Sequence, residues 1–279
     1  MRYGIDVPNL DEFHDPRRVA ELARRAEAAG WDGFFVWDHV NREQLHQTAD
    51  PWVLLTAIAL ATERIQLGPL VTPVARRRPG TLARQVVSVD RLSGGRLVLG
   101  VGLGSTLADE FGAWGEPTDP KALAARLDEG LAVLTGLWTG MPFSYAGEQL
   151  TVSDVTFQPT PVHGRPPVWV AGVWPNRAPM RRAARWDGVV PLVRTAGGDS
   201  GEPTAADLRE IATFIGEHRD GDGRYDVVAV GGTEPGDPAA VERVAEMQAA
   251  GATWWLEGFM PKEGEYEAVL RRIEAGPPR

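Results

Sequence analysis

Short apolar runs alternate with longer segments of helical period along most of this chain. The strand-like runs are Tyr3 to Val7, Phe34 to Trp37, Ile65 to Val71, Leu97 to Val101, Val168 to Ala171, Gly188 to Leu192, Val227 to Val230 and Thr253 to Leu256. Apolar strands alternating with amphipathic helices are the mark of repeated βα units, whose parallel sheet is covered on both faces. Eight such repeats predict a closed (β/α)8 TIM barrel of the α/β class, built as a single domain over residues 1–279.

The helical segments carry their own start signals. Asp-Pro occurs at Asp15-Pro16, Asp50-Pro51, Asp119-Pro120 and Asp237-Pro238, each ahead of a periodic stretch. An Asp in that place caps free backbone N–H groups, and Pro suits the first helical position, where no N–H is needed. In the first helix Val19, Leu22, Ala23, Ala26 and Ala29 share one face, and Gly30 supplies the stop. Two segments break the rhythm. Phe143 to Pro167 has β-branched and aromatic residues around Gly147 and reads as a hairpin inserted between the fourth helix and the fifth strand, expected to extend the loops over the barrel mouth. Arg194 to Pro203 reads as a loose loop.

Composition narrows the chemistry. The chain has no cysteine, which removes disulfides, thiolate metal sites and cysteine nucleophiles. With 38 acidic against 29 basic residues, the net charge of -9 repels polyphosphate chains, so nucleic acid is not an expected partner. The start MRYGIDVP shows no secretory pattern and no apolar run reaches the length of a membrane span, so a soluble cytoplasmic protein is expected.

In a barrel of this kind, active-site residues gather at the C-terminal ends of the strands. The run FFVWDHV, Phe34 to Val40, ends there on Asp38 and His39. Such a pair suits an acid/base couple, part of a metal site or a polar anchor; the plainer alternative is that Asp38 caps the next turn and His39 packs. Neighbours on a strand point to opposite faces, so the two need not act on one atom. His14, His46, His163 and His218 show no ligand spacing, and no metal is expected. The glycines of LGVGLGS, Leu99 to Ser105, lack the spacing of a dinucleotide fingerprint and read as a tight strand-to-loop turn. In VAGVWPNRAPMRRAARWDG, Val170 to Gly188, a strand end, a turn through Pro175 and Asn176, and a helix would offer backbone N–H groups to an anion, with Arg177 beside them. Most of the other arginines there read as a solvated face, as does the run VARRRPG unless it meets an acidic group.

With these residues in view, the chain resembles the bacterial luciferase-like superfamily of flavin- and deazaflavin-dependent oxidoreductases. The stretches GWDGFFVWDHV, ATERIQLGPLVTP, RRPGTLARQVVSVDRLSGGRLVLGVGLG, LWTG, RPPVWVAG and RRAARWDG carry the likeness, in the family's order. The resemblance implies coenzyme F420 or FMN at the barrel mouth, with F420 preferred because VWDHV and the third-strand pattern look closest to those members. It implies His39 and Asp38 near the reactive face of the ring, and a cis peptide at Leu70-Val71 that backs it. Cofactor contacts are implied at Asp38, Leu70, Val71, Thr72, Gly104, Ser105, Ala171, Gly172, Val173, Asn176 and Arg177, the last four around the phosphate. It further implies a small-molecule substrate, a flavin or F420 reductase as partner and a homodimer. Ser105 stands where relatives that oxidise sugar phosphates carry an acid. The expected activity is hydride transfer between an organic substrate and F420; the alternatives are an FMN-dependent monooxygenase and a barrel that binds a flavin without turnover.

Overall fold

Parallel pairing of strands taken in chain order closes a ring. The computed structural model describes residues 1–42, 47–105, 107–198, 200–260 and 264–278. Its strands are β1 (Arg2–Val7), β2 (Gly33–Val36), β3 (Gln66–Pro69), β4 (Thr72–Pro73), β5 (Leu99–Gly102), β6 (Phe143–Ala146), β7 (Thr151–Val155), β8 (Val168–Trp174), β9 (Gly188–Arg194), β10 (Ser200–Gly201), β11 (Asp226–Gly231) and β12 (Trp254–Gly258). The barrel order is β3-β2-β1-β12-β11-β9-β8-β5-β4. Nine parallel segments make eight staves because the third is broken: β3 pairs with β2, β4 pairs with β5, and a Leu67–Leu97 bridge closes the ring. From that bridge to the Thr72–Val101 pair the third stave advances five residues while the fourth advances four, which is a bulge. The Leu70–Val71 peptide within it is cis.

The helices are α1 (Pro16–Ala28), α2 (Pro51–Ala61), α3 (Pro79–Leu92), α4 (Leu107–Glu110), α5 (Pro120–Trp138), α6 (Arg177–Ala184), α7 (Ala205–His218), α8 (Pro238–Ala249) and α9 (Glu265–Glu274). All four Asp-Pro pairs start a helix. The side chains of Asp15, Asp50, Asp119 and Asp237 accept from the N–H groups of Arg17, Trp52, Ala122 and Ala239, each such cap contributing about 1 kcal/mol. On α1, Val19, Leu22, Ala23 and Ala26 are buried against the barrel. None of the described helices is long and apolar enough to cross a membrane.

Alternation divides each stave into an outer face under the helices and an inner face on the barrel axis. The lower interior is filled by Phe35, Trp169 and Trp254, whose rings lie 5.3 to 5.8 Å apart, two of the three pairs edge to face. Glycine makes the room: a Cβ on Gly33 would lie 2.7 Å from the Phe35 ring and 3.0 Å from the Trp254 ring.

The ribbon β6–β7 lies outside the barrel sheet, between α5 and β8. It does not cover the mouth. Its turn N–H groups, at Glu148, Gln149 and Leu150, donate to the Glu129 carboxylate midway along α5, and Phe143 packs where Gly136 leaves space. Barrel helices run back against the strands, so an insertion that follows a helix emerges at the far end from the mouth. Arg194 to Pro203, expected to be loose, is partly a strand return: Ser200 and Gly201 pair antiparallel with Arg194 and Val193.

Candidate functional site

Around the aromatic side chains the interior is aliphatic. Leu70, Val98, Val190, Val228 and Leu256 are buried, and Val71, Ala171 and Val230 lie half-buried against them. Val71 is there because of the broken stave: an added Cβ would bring Gly102 within 2.8 Å of Val71 and 3.4 Å of Ala171. These residues form an apolar floor toward the C-terminal ends of β3, β5, β8 and β11, with Val173 further along the same face of β8.

The opposite side is polar. Asp6 shares the inward face of β1 with Gly4, whose open side meets Leu256 and Phe35, and it pairs across the sheet with Phe35 and Gly258. Its Oδ2 accepts from Trp37 Nε1 at 3.0 Å, and its buried Oδ1 has no partner. Burial pushes the Asp6 carboxyl up to about 7, against the smaller opposing effect of the Trp37 hydrogen bond. Sequence reasoning passed over Asp6 as part of a strand; an acid on the same parity as a strand's interior-facing glycine was the available signal.

Asp38 and His39, in the connection just past β2, diverge. Asp38 has a fully buried side chain. It accepts from Thr72 Oγ1 at 2.8 Å, from Arg76 Nη2 at 2.6 Å and from Arg77 Nε and Nη2 at 2.7 to 3.0 Å. Both oxygens are thus occupied, and Thr72 is turned toward them. The two arginines of VARRRPG that follow β4 meet acid here instead of water. His39 stays nearer the opening, edge-on to Trp37 at 5.7 Å, with its backbone clamped by Asn9 from β1's end. Its Nδ1 lies 3.0 Å from Glu110 Oε1, and Nε2 has no protein hydrogen bond among the described residues.

Glu110 was not singled out from the sequence. It ends the short helix α4, five residues after Ser105, and its side chain is 1% exposed. It accepts from His39, from the N–H groups of Val40 and Asn41 and from Arg76 Nη1. Burial disfavours its charge, but the His39 ring, the two N–H groups and the Arg76 guanidinium outweigh that and hold its carboxyl below the usual range. An acid therefore does reach His39, from position 110, while Ser105 itself is exposed. Gly104 has φ +88°, and a Cβ added there would lie 3.1 to 3.2 Å from Phe111 and Pro73, so the turn favours glycine.

At the end of β8 the predicted anion site has its backbone but not its arginine. Gly172 faces outward, 2.8 Å from Pro179 by its missing Cβ, and so lets α6 approach the strand. Asn176 caps α6 without a side-chain hydrogen bond, unlike the Asp-Pro helices, which leaves first-turn N–H groups open. The Arg177 guanidinium instead stacks on Trp174 and Phe214, at 4.5 and 4.7 Å, over a recess between α6 and α7. Among the described residues no three His, Asp or Glu side chains converge as metal ligands; His46 lies outside them.

Known proteins match this architecture along its length. A stretch of 160 residues is 33% identical to an F420-dependent glucose-6-phosphate dehydrogenase of Amycolatopsis mediterranei, covering 54% of this chain and 48% of that protein, so the chain spans about half of that relative. The F420-dependent tetrahydromethanopterin reductase of Methanopyrus kandleri superposes with a TM-score of 0.76 at 18% identity, covering 99% of this chain and 98% of that one. An FMN complex of the oxygenating constituent of 3,6-diketocamphane monooxygenase, from a plasmid of Pseudomonas putida, superposes with a TM-score of 0.73 at 16% identity over 99% and 96%. The family model described as luciferase-like monooxygenase spans residues 3–275, and the chain belongs to that family.

Proposed function

We propose that the chain is an oxidoreductase that binds coenzyme F420 at the barrel mouth and serves hydride transfer to or from a small organic substrate, such as a secondary alcohol or its ketone. The observation that carries this reading is the combination of two kinds of surface in one barrel interior. A half-buried apolar set, Val71, Ala171 and Val230, accompanies two proton-handling groups near the strand ends, Asp6 and His39.

The floor fits one face of a planar tricyclic ring, and the buried Oδ1 of Asp6, which no protein group satisfies, fits a polar edge of a ligand. Val71, Ala171 and Val173 would hold the ring, and the open first turn of α6 at Asn176 would hold the phosphate. Bound there, a deazaflavin supplies a two-electron hydride acceptor or donor. His39 Nε2 is the complementary proton site: it takes the substrate hydroxyl proton as a carbonyl forms and returns it in the reverse direction. Asp6, whose carboxyl burial raises to about 7, can in its protonated form donate a hydrogen bond to the bound ligand. Asp38 serves as an anchor, since its oxygens are spent on Thr72, Arg76 and Arg77.

F420 is favoured over FMN by the F420-dependent relative that matches about half of the chain; the FMN complex of a structural neighbour favours the second reading, a monooxygenase supplied with reduced flavin. Fluorescence titration of the apo-protein with F420 and, separately, FMN decides between them. Selective F420 binding supports hydride transfer, selective FMN binding moves the assignment to oxygen chemistry, and binding of neither overturns both.

A further inference from the structure

We propose that Glu110 is a positioning residue that fixes His39 in the tautomer protonated at Nδ1, leaving Nε2 bare toward the mouth. The inference rests on the reading of His39 as the proton site and adds what makes that nitrogen a base.

The argument is one of donors and acceptors. A carboxylate can only accept hydrogen bonds, and a neutral imidazole carries one N–H and one lone pair. Glu110 is held ionised by five contacts to four groups: the His39 ring, two backbone N–H groups and the Arg76 guanidinium. With a carboxylate oxygen at 3.0 Å, Nδ1 has to be the nitrogen that bears hydrogen. The lone pair is then on Nε2, which meets no protein group among the described residues.

The surroundings keep this choice from being overridden. Asp38, Glu110, Arg76 and Arg77 form a buried set of two anions and two cations, with side-chain exposures of 0, 1, 8 and 15%. Their charges cancel while His39 is neutral. When Nε2 takes a proton from a substrate hydroxyl, the new imidazolium lies against Glu110, the anion that is already in place; when the proton returns, the balance is restored. No side chain has to move. Glu110 also ties down the backbone of Val40 and Asn41, so it fixes the plane of the ring as well as its tautomer.

The test reads the tautomer directly, without cofactor. Protein labelled with 15N-histidine is examined by long-range 1H–15N correlation near neutral pH, with the His39 ring assigned from its loss in His39→Gln. The expected spectrum shows a protonated Nδ1 and a bare Nε2, and Glu110→Gln, whose amide can turn either its oxygen or its NH2 to the ring, adds a second population protonated at Nε2. A wild-type ring protonated at Nε2 overturns the proposal, as does a spectrum unchanged in both Glu110→Gln and Glu110→Leu. Circular dichroism confirms that the variants are folded, and Glu110→Gln keeps the test valid if Glu110→Leu is not. Turnover of His39→Gln at the wild-type rate would remove His39 from the functional reading and leave the tautomer result standing, so the two failures are distinguishable.

Discussion

Two buried ionic clusters border the mouth, and they are built for different ends. In one, Glu257 of β12 accepts from Arg272 of α9 at 3.0 Å, from Trp255 Nε1 at 2.9 Å and from the Thr233 N–H at 2.8 Å, while Arg272 also reaches Thr233 and the carbonyl of Gly276. Every polar atom there is satisfied from within, and the cluster docks the last helix onto the loop after β11. In the other, Asp38, Arg76, Arg77 and Glu110 are also buried, but the set ends on a histidine with one nitrogen that has no hydrogen bond among the described residues. Buried ion pairs are weak evidence for stability, because desolvation offsets most of their attraction. Burial and charge thus do not separate a clasp from the proposed active site; a titratable group left incomplete at the open edge is what marks the latter.

The sharpest way to break the comparison is at that incomplete group. His39→Gln is expected to lower turnover by about 10²- to 10⁴-fold, the range general acid–base catalysis commonly supplies, while cofactor affinity by fluorescence titration holds. Glu257→Gln should do the opposite. Leaving Arg272 buried without its anion costs about 3 to 5 kcal/mol in denaturant unfolding, and turnover per folded molecule is unchanged.

Asp6 supplies a third contrast, through its proton. Its carboxyl lies at about 7 in the folded protein and near 3.8 in the open chain. Between those values the folded state holds a proton that the unfolded state has released, so this group's contribution to stability falls as pH rises from about 4 to about 7 and is level above that. Asp6→Asn, which stays neutral, should therefore be more stable than the wild type at pH 8, by an upper figure of about 4 kcal/mol, and equal to it at pH 4. Unfolding midpoints at the two pH values decide it; a gain at pH 4 and none at pH 8 would reverse the assignment. The smallest effect is expected at Ser105. Because that position is exposed, Ser105→Glu changes stability by less than about 0.5 kcal/mol, and it does not restore turnover to Glu110→Leu, since among the described residues the acid bonded to the ring is at position 110.

The parts of the fold legible in the sequence are those with local causes. The eightfold alternation and the four Asp-Pro starts depend on neighbours within a few residues, and the structure shows each of those Asp side chains bonded to its helix. The resemblance placed the cis peptide at Leu70–Val71, where it is found. What escaped depends on contacts distant in the chain. Glu110 meets His39 across 71 positions, and the acceptors of Arg76 and Arg77 come from another stave, so VARRRPG looked like a solvated run. The hairpin was read correctly as extended chain and wrongly as a cover for the mouth, because a hydrophobicity pattern carries no record of which end of the barrel a connection leaves from.

The Asp38 and Glu110 network has one more consequence. It bolts together the connections that follow β2, β4 and β5, so one wall of the mouth is a single rigid piece. Diversity in what enters must then come from the other wall, where β9 runs out to Arg194 and folds back through β10 with no ion of that network attached. For protein engineering, the barrel offers a fixed anvil and a replaceable jaw: randomising Arg194, Thr195 and Glu202 should change substrate range at little cost in folding, and randomising Arg76 or Arg77 should yield mostly unfolded protein.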